Sequence, residues 1–241
     1  MSEIFENTEN SKNSEKHRPD TSVILVCAGN ASRMNGVNKI LMPLGNSNVI
    51  GICMQAFQNC PDVAEIIIVT KPESAQTIRE TAESLQISKL KEITGGGATR
   101  QESVMQGLRL VSKSTDYIAI HDGARPLVKP EHITKVIHDA RVFGGATLGV
   151  PVKDTIKTVD EGLITDTPPR SSLWITQTPQ VFRKRLYFEA VDFALEHHLN
   201  FTDDCQLIES IGGKICMTTG DYTNIKITTP EDRAIAEVLL S

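Results

Sequence analysis

The chain lacks the features that most directly announce a binding partner or a compartment. Of its 241 residues only one is tryptophan, and aromatics make up 5% of the whole, which leaves little from which to build a base-stacking surface. No apolar run reaches the length of a membrane span, and the amino terminus has no hydrophobic signal core. Neither G-x-G-x-x-G nor a Walker loop is present, which removes the two commonest nucleotide fingerprints and argues against a dinucleotide-dependent oxidoreductase. The five cysteines (Cys27, Cys53, Cys60, Cys205, Cys216) form no C-x-x-C pair. Scattered through apolar stretches, they read as buried free thiols in a reducing compartment, so the expected setting is the cytoplasm. A net charge of -5 gives no global basic field, so neither nucleic acid nor an acidic membrane is expected as a partner. Any anion site has to be assembled locally.

What is present is an ordinary globular composition, 39% hydrophobic and 23% charged, sufficient for a sizeable core. Residues 1–20 are polar and without hydrophobic period, and read as a disordered leader; one domain is expected over 21–241. Val23 to Cys27, Glu65 to Thr70, Tyr117 to Ile120 and Ala146 to Val150 are continuous apolar runs of strand length. Between and after them, helical spacing runs over Val49–Cys60, Pro72–Leu85, Arg100–Val111, Glu131–Phe143 and Lys184–His197. The alternation predicts an α/β fold, a mostly parallel twisted sheet with helices on both faces. The rhythm breaks over about 152–174, where Thr155 to Val159 and Leu163 to Thr165 flank a Gly162-bearing turn. That pattern predicts a β-hairpin with no core of its own, projecting as an arm onto a second subunit. Thr202 is expected to cap a short helix to Ile211, and Thr229-Pro230-Glu231-Asp232 to open the last one.

In open parallel sheets ligands bind beyond the carboxyl ends of the strands, so the polar residues that follow each strand are the informative ones. After the first strand come Ala28-Gly29, then Arg33 and Lys39, small residues followed by fixed positive charge. Gly95-Gly96-Gly97 precede a helix that carries Ser103 one turn in, an arrangement that exposes backbone N–H groups. His121-Asp122 closes the Tyr117 strand, a good position for a carboxylate that binds Mg²⁺. Later in the chain Thr155, Arg170, Thr178, Thr202 and Lys226 offer hydroxyls and cations for a second oxyanion. No Ser-His-Asp or Cys-His set is persuasive.

Taken in order, these segments resemble the 2-C-methyl-D-erythritol 4-phosphate cytidylyltransferase family. The resemblance rests on A-G-x-x-x-R-M with Lys39, the run from Gly96 to Val104, His-Asp-x-Ala-Arg-Pro at 121–126, and Pro-Val-x-Asp-Thr-Ile-Lys at 151–157. Arg170, Gln-Thr-Pro-Gln at 177–180, Thr-Asp-Asp at 202–204 and Asn-Ile-Lys at 224–226 complete it. It implies a Rossmann-like nucleotidyltransferase fold, transfer of CMP from CTP to a sugar-alcohol phosphate, a divalent cation such as Mg²⁺, and a homodimer joined through the arm. By the same resemblance Ala28, Gly29, Gly96 and Ser103 would line the nucleotide pocket, and Arg33, Lys39 and Lys226 would be the catalytic cations. Asp122 would face the metal, and Thr155, Arg170, Thr202 and Arg125 would bind the second substrate. The chain departs from the family at Asn30-Ala31-Ser32 and Ala98-Thr99. Two readings stand beside the main one: a polyol-phosphate enzyme acting on ribitol 5-phosphate, and a non-catalytic nucleotide-binding module.

Overall fold

The computed structural model describes residues 18–29 and 38–240. The expected leader up to residue 17, Arg33, and the 30–32 departure lie outside these. The fold is α/β, as expected. Its central sheet has seven strands in the order β11-β7-β10-β6-β1-β4-β5. These strands are β1 (Thr21–Val26), β4 (Val63–Thr70), β5 (Leu90–Gly95), β6 (Tyr117–Asp122), β7 (Gly145–Pro151), β10 (Trp174–Arg183) and β11 (Cys216–Thr219). Neighbours pair parallel except β10, which runs antiparallel to both β6 and β7. The short strands β2 (Pro43–Leu44) and β3 (Ser47–Asn48) form a separate ribbon.

β1 is buried on both faces because helices cover both. Val23 and Leu25 join a cluster with Phe57 of α1 (Val49–Gln58), Ile78 of α2 (Ala75–Ser84) and Ile133 of α4 (Pro130–Phe143). Ile24 points the other way, into a cluster with Val104 of α3 (Arg100–Leu108), Tyr187 of α5 (Lys184–Glu196) and Leu207 of α6 (Asp204–Glu209). This strand alternation explains the unbroken apolar run.

β5, β10 and β11 were not expected from periodicity. β5 lies at the sheet edge and exposes Lys91 and Glu92, while β10 buries Gln177, Thr178 and Gln180 in its middle. The predicted hairpin is present as β8 (Thr158–Asp160) and β9 (Leu163–Asp166), joined through Glu161 and Gly162 at φ +47° and +81°. Both φ values are left-handed, as a two-residue hairpin turn requires. Its hydrophobic residues Val159, Leu163 and Ile164 are 55%, 72% and 65% exposed.

The short helix α6 corrects one expectation. Asp203, not Thr202, is its cap, since the Asp203 Oδ1 accepts the Gln206 N–H at 2.9 Å. Thr202 instead donates its backbone N–H and its hydroxyl to the Gln206 side chain. The last helix, α7 (Pro230–Leu240), opens as expected: Asp232 accepts from the backbone of Thr228 and Thr229 at 2.8 Å each. No helix among the described residues is long and apolar enough to cross a membrane.

Gly107 sets how closely α3 approaches the sheet. A Cβ there would sit 2.7 Å from Ile24 Cγ2 and 3.0 Å from Val69 Cγ2. Gly107→Ala is therefore expected to lower stability, because about 1–3 kcal/mol of overpacking outweighs the roughly 1 kcal/mol gained in helix propensity. A urea titration of parent and variant checks the sign; an unchanged or raised midpoint contradicts it.

Candidate active site

The carboxyl ends of β1 and β6 open into a cleft of about 390 Å³. Pairing runs to the strand ends, with Val26 opposite Asp122 and the Gly123 N–H on the Val26 carbonyl at 3.1 Å. Ala28, Gly29, Lys39, Ser103, Asp122 and Lys226 all line the cleft, so six of the expected residues converge. Gly97 lies in its wall; Gly96 stands behind, where a Cβ would fall 2.3 Å from the Ala28 Cβ and 3.0 Å from the Ser103 Oγ. Glycine is needed at 96 for that close approach.

The departure at Ala98-Thr99 has a structural role. Thr99 caps α3 by accepting the Glu102 N–H at 3.1 Å, and Glu102 reaches back to the Ala98 N–H at 2.6 Å and the Thr99 N–H at 3.4 Å. This capping box holds α3 with its positive dipole end at the cleft, where a phosphate is favoured.

A second recess of about 190 Å³ adjoins the first. Arg125, Thr176, Thr178, Gln180, Thr202 and Asp203 line it, and Arg100, Asp122 and Lys226 face both spaces. Arg125 Nε is buried there without a hydrogen-bond partner among the described residues. Two expected residues are elsewhere: Thr155 and Arg170 sit exposed on the arm, and Arg170 donates to the Lys153 carbonyl at 2.7 Å.

Asp122 is the centre of the shared wall. Its Oδ2 lies 2.7 Å from Lys226 Nζ and 3.8 Å from Arg125 Nε, and its Oδ1 is 3.8 Å from Arg100 Nε. Burial works to raise its pKa, but Lys226, Arg100 and Arg125 overcome that and hold it below the usual carboxylate range. Its backbone N–H donates to Thr178 Oγ1 at 3.1 Å. That hydroxyl lies 3.0 Å from His121 Nδ1, and His121 Nε2 lies 3.1 Å from the Arg125 carbonyl. Because a carbonyl only accepts, the histidine proton belongs on Nε2, and Thr178 donates to Nδ1. Burial pushes the imidazole down to about 4, so it stays neutral as this bonding requires. His121 is thus a buried structural link, the plainer of its readings.

Lys226 is presented by a loop pinned to the same strands. Asn224 Nδ2 donates to the Thr178 carbonyl at 3.0 Å, Arg125 Nη1 to the Asn224 carbonyl at 2.8 Å, and the Ile227 N–H to the Ala124 carbonyl at 2.8 Å. Arg100 was missed among the site residues. The available signal was a cation at the first residue of a helix, where the dipole opposes it and a strong acidic partner is needed.

Among the described residues no three His, Cys, Asp or Glu side chains gather as a metal cage. Mg²⁺ does not need one, since it commonly takes one or two carboxylates together with substrate phosphates and waters. Asp122 fits that demand: it is ionised, and its Oδ1 accepts no hydrogen bond from the described residues.

Residues 21–241 match the family model described as 2-C-methyl-D-erythritol 4-phosphate cytidylyltransferase. A relative bearing that name from Caldanaerobacter subterraneus subsp. tengcongensis is 44% identical over 224 residues, 92% of this chain and 99% of its own. Another from Syntrophotalea carbinolica is 42% identical over 222 residues, covering 90% and 95%. Among solved structures, a 4-diphosphocytidyl-2C-methyl-D-erythritol synthase from Anaerococcus prevotii superposes with a TM-score of 0.82 at 28% identity, covering 92% of this chain and 96% of that one. A 2-C-methyl-D-erythritol 4-phosphate cytidylyltransferase from Thermus thermophilus gives 0.75 at 29% identity, covering 91% and 98%.

Asp221 braces the loop that carries Lys226. Its carboxylate accepts the Thr223 N–H at 2.9 Å and pairs with Lys129 at 2.9 Å, which together bring its pKa down to about 2. A lowered folded-state pKa contributes stability above the ordinary value near 4 that is lost as pH falls towards 2. Asp221→Asn is expected to melt below the parent at pH 7, with the gap narrowing below pH 4. A gap independent of pH contradicts this.

Proposed function

The chain belongs to the 2-C-methyl-D-erythritol 4-phosphate cytidylyltransferase family and transfers CMP from CTP to 2-C-methyl-D-erythritol 4-phosphate in non-mevalonate isoprenoid synthesis, and we propose that its two adjoining recesses divide that reaction between them. CTP occupies the larger cleft, with its base towards Ala28, Gly29 and Ser103 and its phosphates towards Lys39 and the amino end of α3. The acceptor phosphate occupies the smaller recess against Arg125, Thr202 and Lys226. The observation that carries this reading is the shared wall: Asp122, Lys226 and Arg100 face both spaces, where the two reactants must meet.

The acceptor's phosphate oxygen attacks the α-phosphorus of CTP in line, the new P–O bond forms as the bond to the β-phosphate oxygen breaks, and pyrophosphate leaves. The nucleophile is already ionised near neutral pH, so no general base is required. The difficulty is repulsion between anions: two unit charges at about 4 Å interact by roughly 4 kcal/mol at an effective dielectric near 20. Lys39, Lys226 and Arg125 offset it, with Arg33 assigned the same part from the resemblance. Catalysis then comes from positioning and charge stabilisation by these fixed groups. Asp122 would hold Mg²⁺, which supplies further neutralisation of the triphosphate when bound.

Thr155 and Arg170 act in this scheme from the arm of a second copy. The exposed Val159, Leu163 and Ile164 support an arm that packs on a partner. The scattered buried thiols, as read from the sequence, favour the cytoplasm as the setting.

Lys39→Ala is expected to lower kcat/KM by about a hundredfold or more while the protein stays folded; turnover within a few-fold of the parent contradicts the role. Leu163→Asp with Ile164→Asp is expected to give a monomer by light scattering with much reduced turnover, and an active monomer contradicts the arm's part. Pyrophosphate release with CTP and Mg²⁺, offered methylerythritol 4-phosphate or ribitol 5-phosphate separately, tests the acceptor: release with ribitol 5-phosphate alone overturns it.

A further inference from the structure

Arg100 stands between two carboxylates and is held much closer by the one that faces away from the chemistry. Its Nη2 lies 2.7 Å from Asp204 Oδ2, whereas its Nε is 3.8 Å from Asp122 Oδ1, beyond hydrogen-bond length. Asp204 is itself fixed by two hydrogen bonds and by burial. Tyr187 donates its hydroxyl to Oδ1 at 2.6 Å, the Asp204 N–H donates to Gln180 Oε1 at 2.9 Å, and the residue is 4% exposed. Tyr187 is buried at the start of α5, on a different element from either carboxylate. Neither Asp204 nor Tyr187 lines either recess or takes part in the reaction. Burial alone would weaken the Arg100 charge, but Asp204 first and Asp122 second more than offset it.

Asp122 already carries Lys226 at 2.7 Å on Oδ2. A guanidinium released from Asp204 would have a single close anion left to pair with, and that pairing would occupy Oδ1. A guanidinium on Oδ1 would take one of that oxygen's two lone-pair directions and set a full positive charge beside any metal ion bound at the other.

We propose that Asp204, braced by Tyr187, is a positioning residue that holds Arg100 back from Asp122 and so keeps Asp122 Oδ1 open to the divalent cation. This rests on the assignment of the cation to Asp122. Asp204 touches neither substrate nor metal; it acts through Arg100. The pairing also leaves Arg100 as a fixed positive charge beside both recesses without adding its full charge to the Asp122 cluster.

The test is Mn²⁺ binding, read by water-proton relaxation, with CTP present and no acceptor, so that nothing turns over. Asp204→Asn is expected to weaken Mn²⁺ binding about tenfold, the order expected when a unit charge closes from 3.8 Å to contact. Adding Arg100→Gln to that variant is expected to restore binding to within a few-fold of the parent, because the closing cation is gone. A role confined to stability would lower the melting temperature of folded Asp204→Asn and leave its Mn²⁺ binding unchanged. Tyr187→Phe, which removes one hydroxyl and preserves the ring, is expected to weaken Mn²⁺ by a few-fold, and it carries the test if Asp204→Asn does not fold. Parent-like Mn²⁺ binding in folded Asp204→Asn, or in Tyr187→Phe, overturns the proposal, as does failure of Arg100→Gln to restore it. Asp122→Asn separates the two levels. If it binds Mn²⁺ like the parent, the metal assignment falls and the proposal with it; if it loses Mn²⁺ while Asp204→Asn does not, only the proposal falls.

Discussion

A carboxylate taken almost wholly out of water stays ionised only where cations surround it, and Asp122 at the end of β6 has Lys226, Arg100 and Arg125 around it. Each cation arrives from a different part of the chain: the first turn of α3, the loop after β6, and the loop before α7. Keeping them in place is what much of the local structure accomplishes. The capping box of Thr99 and Glu102 sets the start of α3, while Thr178, His121 and Asn224 tie together the other two loops. The same arrangement that keeps Asp122 charged is the one proposed to receive phosphates from two sides. Structure and electrostatics are therefore one constraint here, and the chemistry is assigned where they coincide.

The sheet explains why the residues converge. Parallel strands β1, β4 and β6 end on one edge, so the turns after them share a rim. The antiparallel strand β10 enters between β6 and β7 and brings buried Gln177, Thr178 and Gln180 to that rim. Polar side chains in the middle of a strand are costly unless they are hydrogen-bonded, and each of these three is.

That cost is also why part of the fold was hidden in the sequence. β1, β4, β6 and β7 are covered on both faces and write continuous apolar runs, which were readable. β10 buries amides and a hydroxyl, so it has no apolar period, and β5 is an edge strand with Lys91 and Glu92 in water. Thr202 and Asp203 are adjacent residues with nearly equal capping ability, and only the backbone decides which side chain reaches the Gln206 N–H. In the site, Lys39, Asp122, Ser103 and Lys226 were legible because each follows or opens an element at the rim. Asp204 was not, because its pairing with Arg100 joins positions 104 residues apart, and Arg100 itself carried only the signal of a cation at a helix start. Thr155 and Arg170 were legible as a hydroxyl and a cation suited to an oxyanion, and the geometry of one copy leaves them on the arm.

The most direct test of this account is a crystal structure of the chain with Mg²⁺, a non-hydrolysable CTP analogue and methylerythritol 4-phosphate. The account predicts the triphosphate beside Lys39 and the start of α3, the acceptor phosphate against Arg125 and Thr202, and the α-phosphorus between them at Asp122 and Lys226. A nucleotide bound with its phosphates away from Asp122, or an acceptor outside the Arg125 recess, would contradict it.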